Sequence, residues 1–99
     1  MSDILDDATI DQFLESLDSW HRDGAALKRT AAMASFPDAI LLIDRVAVIA
    51  EELDHHPDMD IRWRTVHFSC TTHSAGGLTQ RDLDLANQIE AEITSISTS

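Results

Sequence analysis

The spacing of apolar and polar residues divides the chain into seven elements. Ile10, Phe13, Leu14 and Leu17 recur at i, i+3, i+4 and i+7, which predicts an amphipathic helix with Thr9 as its N-cap. Trp20 to Asp23 reads as a short strand, Asp23-Gly24 as a turn, and Leu27 to Met33 as a second strand. Ala31 and Ala32 lend that second strand little β-propensity. A long helix is predicted from Pro37 to Asp54, capped by Ser35, with Pro37 and Asp38 suited to its first turn. At ~1.5 Å per residue it would run about 27 Å. Its middle is apolar nearly all round: a stripe through Ile40, Ile43 and Ala47 can meet a sheet, while Leu41, Leu42, Val48 and Ile49 need another partner. Another helix or a second copy of the chain would serve, so a homodimer or homotetramer is expected. Pro57 ends the helical stretch. Ile61 and Trp63 then alternate with Arg62 and Arg64, and Val66, Phe68 and Cys70 with His67, Ser69 and Thr71, as half-buried strands should. Thr79-Gln80-Arg81-Asp82 opens a last helix like a capping box, and Leu85, Ala86, Ile89, Ile93 and Ile96 form its stripe.

The order α-β-β-α-β-β-α, with two hairpins separated by helices, predicts an α+β fold: a four-stranded antiparallel sheet with three helices packed on one face. A chain of 99 residues makes one domain over 1–99, with the polar ends 1–7 and 94–99 expected to fray.

Net charge narrows the partners. At -11, with seven scattered Lys and Arg residues, the surface repels a phosphate backbone, so no direct nucleic-acid binding is expected. A single cysteine, Cys70, rules out an intramolecular disulfide and a cysteine-based zinc site. The acidic start Met1 to Asp7 is unlike a secretory signal, and no apolar run reaches the ~20 residues that span a bilayer. A cytoplasmic protein that makes no membrane contact is the expectation.

Chemistry concentrates in the histidines. Of five, three gather at element ends: His55-His56-Pro57 after the long helix, and His73 after the last strand. Imidazole titrates near neutrality and suits proton transfer, provided a carboxylate or hydroxyl orients it; Glu51, Asp54, Thr71, Thr72 and Asp82 lie near in sequence. Two other readings stand beside this one. The histidines could be loop residues complementing a helix dipole. They could also be metal ligands, although adjacent His55 and His56 do not readily face one ion and no second ligand motif exists. Ser69, Ser74 and Cys70 lack a nucleophile-elbow pattern, and Gly76-Gly77 without a Lys is a weak phosphate cradle.

Taken together, Glu51-Glu52-Leu53-Asp54-His55-His56-Pro57, Trp63-x-x-Val66 and Thr72-His73-x-x-x-Gly77-Leu78-Thr79-x-x-Asp82 resemble the signature of the pterin-4a-carbinolamine dehydratases. The similarity extends to Leu17-Asp18-Ser19-Trp20, Leu27-Lys28-Arg29 and Phe36-x-x-Ala39, roughly residues 10 to 93. It departs at Thr30 to Met33, small or flexible where the family carries aromatics. The resemblance implies the same α+β fold and loss of water from 4a-hydroxytetrahydropterin to give quinonoid dihydropterin, without metal or cofactor, serving aromatic amino acid hydroxylases. It implies His56 and His73 as the acid/base pair, His55 binding or polarising the pterin, and Asp82 and Glu51 orienting the histidines. Asp54, Pro57, Thr71 and Thr72 would line the pterin pocket. Some similar proteins act instead through protein interaction, as transcription-factor dimerisation cofactors or enzyme-assembly factors, and that is the alternative.

Overall fold

A computed structural model describes residues 3–98. In it the predicted elements form in the predicted order: α1 (Asp7–Ser16), β1 (Trp20–Asp23), β2 (Ala26–Ala32), α2 (Phe36–Leu53), β3 (Asp58–Arg62), β4 (Thr65–Cys70) and α3 (Gln80–Ser97). The strands pair antiparallel in the order β1-β2-β4-β3. Register follows the alternation: Leu27 lies opposite Cys70, Arg29 opposite Phe68 and Ala31 opposite Val66. One face therefore presents Trp20, Leu27, Ala31, Val66, Phe68 and Cys70 to the helices, all buried. The other presents His21, Thr30, His67, Asp58 and Asp60 to solvent, with Thr30 Oγ1 2.9 Å from His67 Nδ1.

The long helix is rotated from the sequence expectation. Its core stripe is Ala39, Leu42, Val46 and Ala50, buried against α3 and the sheet, with Ile43, Ile49 and Leu53 partly buried beside it. Leu42 thus belongs to the core, whereas Ile40 and Ala47 are exposed. Small residues at both ends of this stripe let two helices approach closely, and that selects the stripe over the bulkier one predicted. The surplus is still present, in different residues: Phe36, Ile40, Leu41 and Val48 are 38–57 % exposed.

Three boundaries also move. Asp6, not Thr9, caps α1: its carboxylate accepts from Thr9 N at 2.8 Å, so the helix starts a turn earlier than the apolar pattern shows. That hydrogen bond holds the Asp6 carboxyl below the usual carboxylate range. Trp63 does not extend β3; it sits in the β3–β4 turn at φ 55, 72 % exposed, with the Arg64 guanidinium 4.9 Å over its ring. Where fraying was expected, α3 continues to Ser97 because Ile93 and Ile96 are buried, and Leu5 N donates to Leu78 O at 2.8 Å. Met1, Ser2 and Ser99 lie outside the described residues. Among the described residues no helix is long and apolar enough to cross a membrane.

One polar link joins α3 to the sheet. Glu90 Oε1 accepts from Trp20 Nε1 at 2.8 Å and from Arg29 Nε at 2.9 Å. The Arg29 hydrogen bond, ahead of the opposing effect of burial, holds the Glu90 carboxyl below its ordinary value. A carboxyl depressed in the folded state stabilises the fold above its unfolded pKa, and that stability is lost as pH falls through the folded pKa. Glu90→Gln should therefore lower Tm at pH 7 by about 4–8 °C, equivalent to ~1 kcal/mol. The gap to wild type should close as pH drops below the ordinary carboxylate value of about 4.3. A gap independent of pH in thermal melts between pH 7 and 3 would show that the Glu90 charge contributes nothing.

Candidate active site

The C-terminus of α2, the C-terminus of β4 and the N-terminus of α3 meet at one corner of the molecule. There Asp54, His55, His56, Thr71, Thr72, His73, Ser74 and Arg81 line an open cleft of about 270 Å³.

Its floor is Asp82. The carboxylate has no exposed surface, yet both of its oxygens meet donors. Oδ1 accepts from His55 Nε2 at 2.6 Å; Oδ2 accepts from the Thr72 hydroxyl at 2.7 Å and from Thr79 N at 3.0 Å. Because Thr72 spends its one proton on Asp82, the Thr79 hydroxyl donates to Thr72 Oγ1, 2.8 Å away. Asp82 is also the N3 residue that closes the α3 capping box with Thr79, so a helix start and a site anchor are the same side chain. An ionised carboxylate only accepts, so the proton of a neutral His55 ring lies on Nε2 and Nδ1 carries the lone pair.

The turn after α2 delivers both neighbouring histidines. Asp54 caps the helix in the left-handed conformation, φ 50 and ψ 45, and His55 N returns to Ala50 O at 3.0 Å. His55 turns inward and is buried. His56, next in sequence, points outward, with its Nε2 2.5 Å from Glu51 Oε2 and its side chain 57 % exposed. His73, which follows β4, rides a tight loop in which Gly76 N donates to Thr72 O at 3.0 Å and Thr72 N to Gly77 O at 3.3 Å. Gly76 sits at φ 74, where a side chain would be strained, and a Cβ on Gly77 would lie 3.3 Å from Ile4. The His73 ring is exposed and has no hydrogen-bond partner among the described residues.

The residues singled out in the sequence are thus brought together unequally. His55, His56, His73, Asp54, Thr71 and Thr72 line the cleft, Asp82 lies beneath it, and Glu51 reaches it through His56. Pro57 is half-buried and does not line the cleft. Thr72 is buried with its hydroxyl committed to Asp82, and the Thr71 hydroxyl donates to Ala25 O at 2.5 Å, which ties the cleft to the β1–β2 turn. Ser74, set aside as a nucleophile, lines the cleft, and so does Arg81, which had not been singled out; the place of Arg81 beside Asp82 at the start of α3 is the signal that could have found it. Cys70, beneath the corner, is inert: burial first, then the nearby Asp82 and Asp58 charges, push its thiol up to about 12. A second concavity of about 250 Å³ on the open sheet face holds His21 and His67 but no imidazole–carboxylate hydrogen bond.

The family model for pterin 4 alpha carbinolamine dehydratase matches residues 3–92. The chain belongs to this family. A protein of Nocardia farcinica, assigned by name only provisionally as a pterin-4-alpha-carbinolamine dehydratase, is 55% identical over 90% of this chain and 94% of its own. A provisionally named relative from a Roseiflexus species is 51% identical over 91% and 97% respectively. Among solved structures, a transcriptional coactivator/pterin dehydratase from Brucella melitensis superposes with a TM-score of 0.89 at 28% identity, covering 92% of this chain and 99% of that one. The family's α-β-β-α-β-β-α sandwich of one sheet and three helices is the fold observed.

Asp82→Asn tests the donor arrangement. The amide can keep its oxygen toward Thr72 and Thr79, but its NH₂ then faces the His55 Nε2 proton. His55 should switch to the Nδ1–H tautomer, read by ¹⁵N ring shifts, and stability should fall by about 1–3 kcal/mol. An unchanged tautomer with an unchanged Tm would contradict the arrangement.

Proposed function

We propose that this chain eliminates water from a 4a-hydroxytetrahydropterin to give quinonoid dihydropterin, as a dehydratase that recycles a pterin used by an aromatic amino acid hydroxylase. The supporting observation is the convergence of three imidazoles on one cleft, two of them hydrogen-bonded to carboxylates, in a chain of this family. The elimination needs two proton transfers. An imidazolium protonates the C4a hydroxyl, and the C4a–O bond breaks with its electron pair leaving as water. A neutral imidazole takes the N5 proton, and the N–H pair becomes the C4a=N5 bond. His56 and His73 reach the cleft from different elements, one after α2 and one after β4, and both are exposed enough to exchange protons with substrate and solvent. His55, tied to Asp82, is the rigid contact, with its free Nδ1 able to accept from the substrate. Asp54 offers a carboxylate to ring N–H groups at the rim. The reaction needs no metal or redox group, because both steps are proton transfers.

His56→Ala and His73→Ala should each reduce dehydration of synthetic 4a-carbinolamine by ~10²-fold or more while leaving the melting curve intact, since both side chains are exposed. A double variant that retains wild-type turnover would end this reading.

The exposed apolar face of α2 supports a second, compatible role in self-association. Phe36, Ile40, Leu41 and Val48 would each gain up to ~1.5–3 kcal/mol on full burial, and four large exposed apolar side chains on one helix are a surface that association would cover. The alternative of a pure interaction protein, a transcription-factor cofactor or an assembly factor, draws on this face alone and makes no use of the cleft. Sedimentation equilibrium at micromolar protein should show a dimer or tetramer of the 11.0 kDa chain. Leu41→Asp or Val48→Asp should weaken it, whereas Glu52→Lys should not. A clean monomer would refute self-association.

A further inference from the structure

The last turn of α2 is electrostatically unfavourable as written. It carries Glu51, Glu52 and the capping Asp54 at the negative end of an 18-residue helix, and no basic residue of its own. The missing cation comes from another element. Arg81, the second residue of α3, donates from Nη2 to the main-chain oxygen of Asp54. It makes no salt bridge among the described residues, although the chain has 18 acidic side chains to offer. Its selected partner is a carbonyl that the helix leaves unpaired, on a residue held at φ 50.

The neighbouring residue acts on the neighbouring position. Asp82 holds the ring of His55, and Arg81 holds the peptide that precedes it. Two successive residues of α3 thus grip two successive residues of the turn, one by side chain and one by backbone. His56 follows directly, and its ring direction depends on how firmly that turn is fixed; its own partner, Glu51, is 77 % exposed and cannot fix it alone.

We propose that Arg81 is the positioning residue for His56: by neutralising and pinning the left-handed cap at Asp54, it sets the direction in which the catalytic imidazole enters the cleft. The catalytic half of this inference rests on the dehydratase reading, whereas the positioning half rests on geometry alone. A displacement of about 1 Å at a reacting group can cost as much as 10²-fold in rate.

Arg81→Gln and Arg81→Lys in the full chain test it, with kinetics on 4a-carbinolamine and imidazole ¹H–¹³C resonances as separate readouts. For Arg81→Gln, kcat should fall about 10-fold or more with KM within about 2-fold, and Arg81→Lys, which keeps a cationic donor, should recover most of the loss. The ring resonances of His55 and His56 should move, and those of His21 and His67, on the far sheet face, should not. A raised KM at unchanged kcat would overturn the proposal in favour of direct substrate contact. Unmoved His56 resonances would overturn it whatever the kinetics. If wild-type protein shows no dehydration while Arg81→Gln still shifts His56, positioning stands and the dehydratase reading alone fails.

Discussion

A carboxylate with no exposed surface must be surrounded by donors or forgo its charge, because an unpaired buried anion costs several kcal/mol even after relaxation. Asp82 meets that requirement with groups from three elements: an imidazole after α2, a hydroxyl after β4 and a backbone amide at the start of α3. None of the three elements can shift without leaving a buried polar atom unpaired. The corner is therefore over-determined, which is the rigidity that holding reacting groups to within a fraction of an ångström would require. No buried side-chain polar atom among the described residues lacks a partner, so the network is complete rather than half-made.

From that anchor the three imidazoles grade outward in freedom. His55 is fixed by a buried carboxylate, His56 is hydrogen-bonded to an exposed one, and His73 is held only by the turn that carries it. The gradient suits an elimination in which one group must hold the ring system still while others exchange protons with bulk solvent. A metal centre would ask for the opposite arrangement, with several ligands equally rigid and aimed at one point. Among the described residues no group of three such side chains is so placed.

Legibility in the sequence divided along physical lines. Period-2 alternation in Val66, Phe68 and Cys70 and the stripe from Leu85 to Ile96 read through directly, because a half-buried strand and a one-faced helix leave one interpretation. The long helix did not, since a segment apolar on most sides satisfies several rotations equally; Ala39 and Ala50, too small to stand out by hydrophobicity, selected among them by allowing close helix packing. Trp63 was misread because alternation continues through a turn whose φ of 55 no apolar pattern can announce. At the site, the family motif carried Asp82 only as a residue orienting the histidines; that its partner is His55, 27 positions away, was not legible. Spacing along a chain says nothing of which helix end meets which strand end.

The acidity of the chain takes on a different meaning once the cleft is placed. With a formal charge of -11, carboxylates far outnumber the cations available to them, and most pairs that do form are surface contacts worth little. The two cations withdrawn from that surface are used structurally: Arg29 fixes α3 over the sheet through Glu90, and Arg81 fixes the turn after α2. Both act on α3, one near its middle and one at its start, and α3 is the element that carries Asp82. Two of the six guanidiniums of an anionic protein are thus placed where they hold the helix that anchors the histidines.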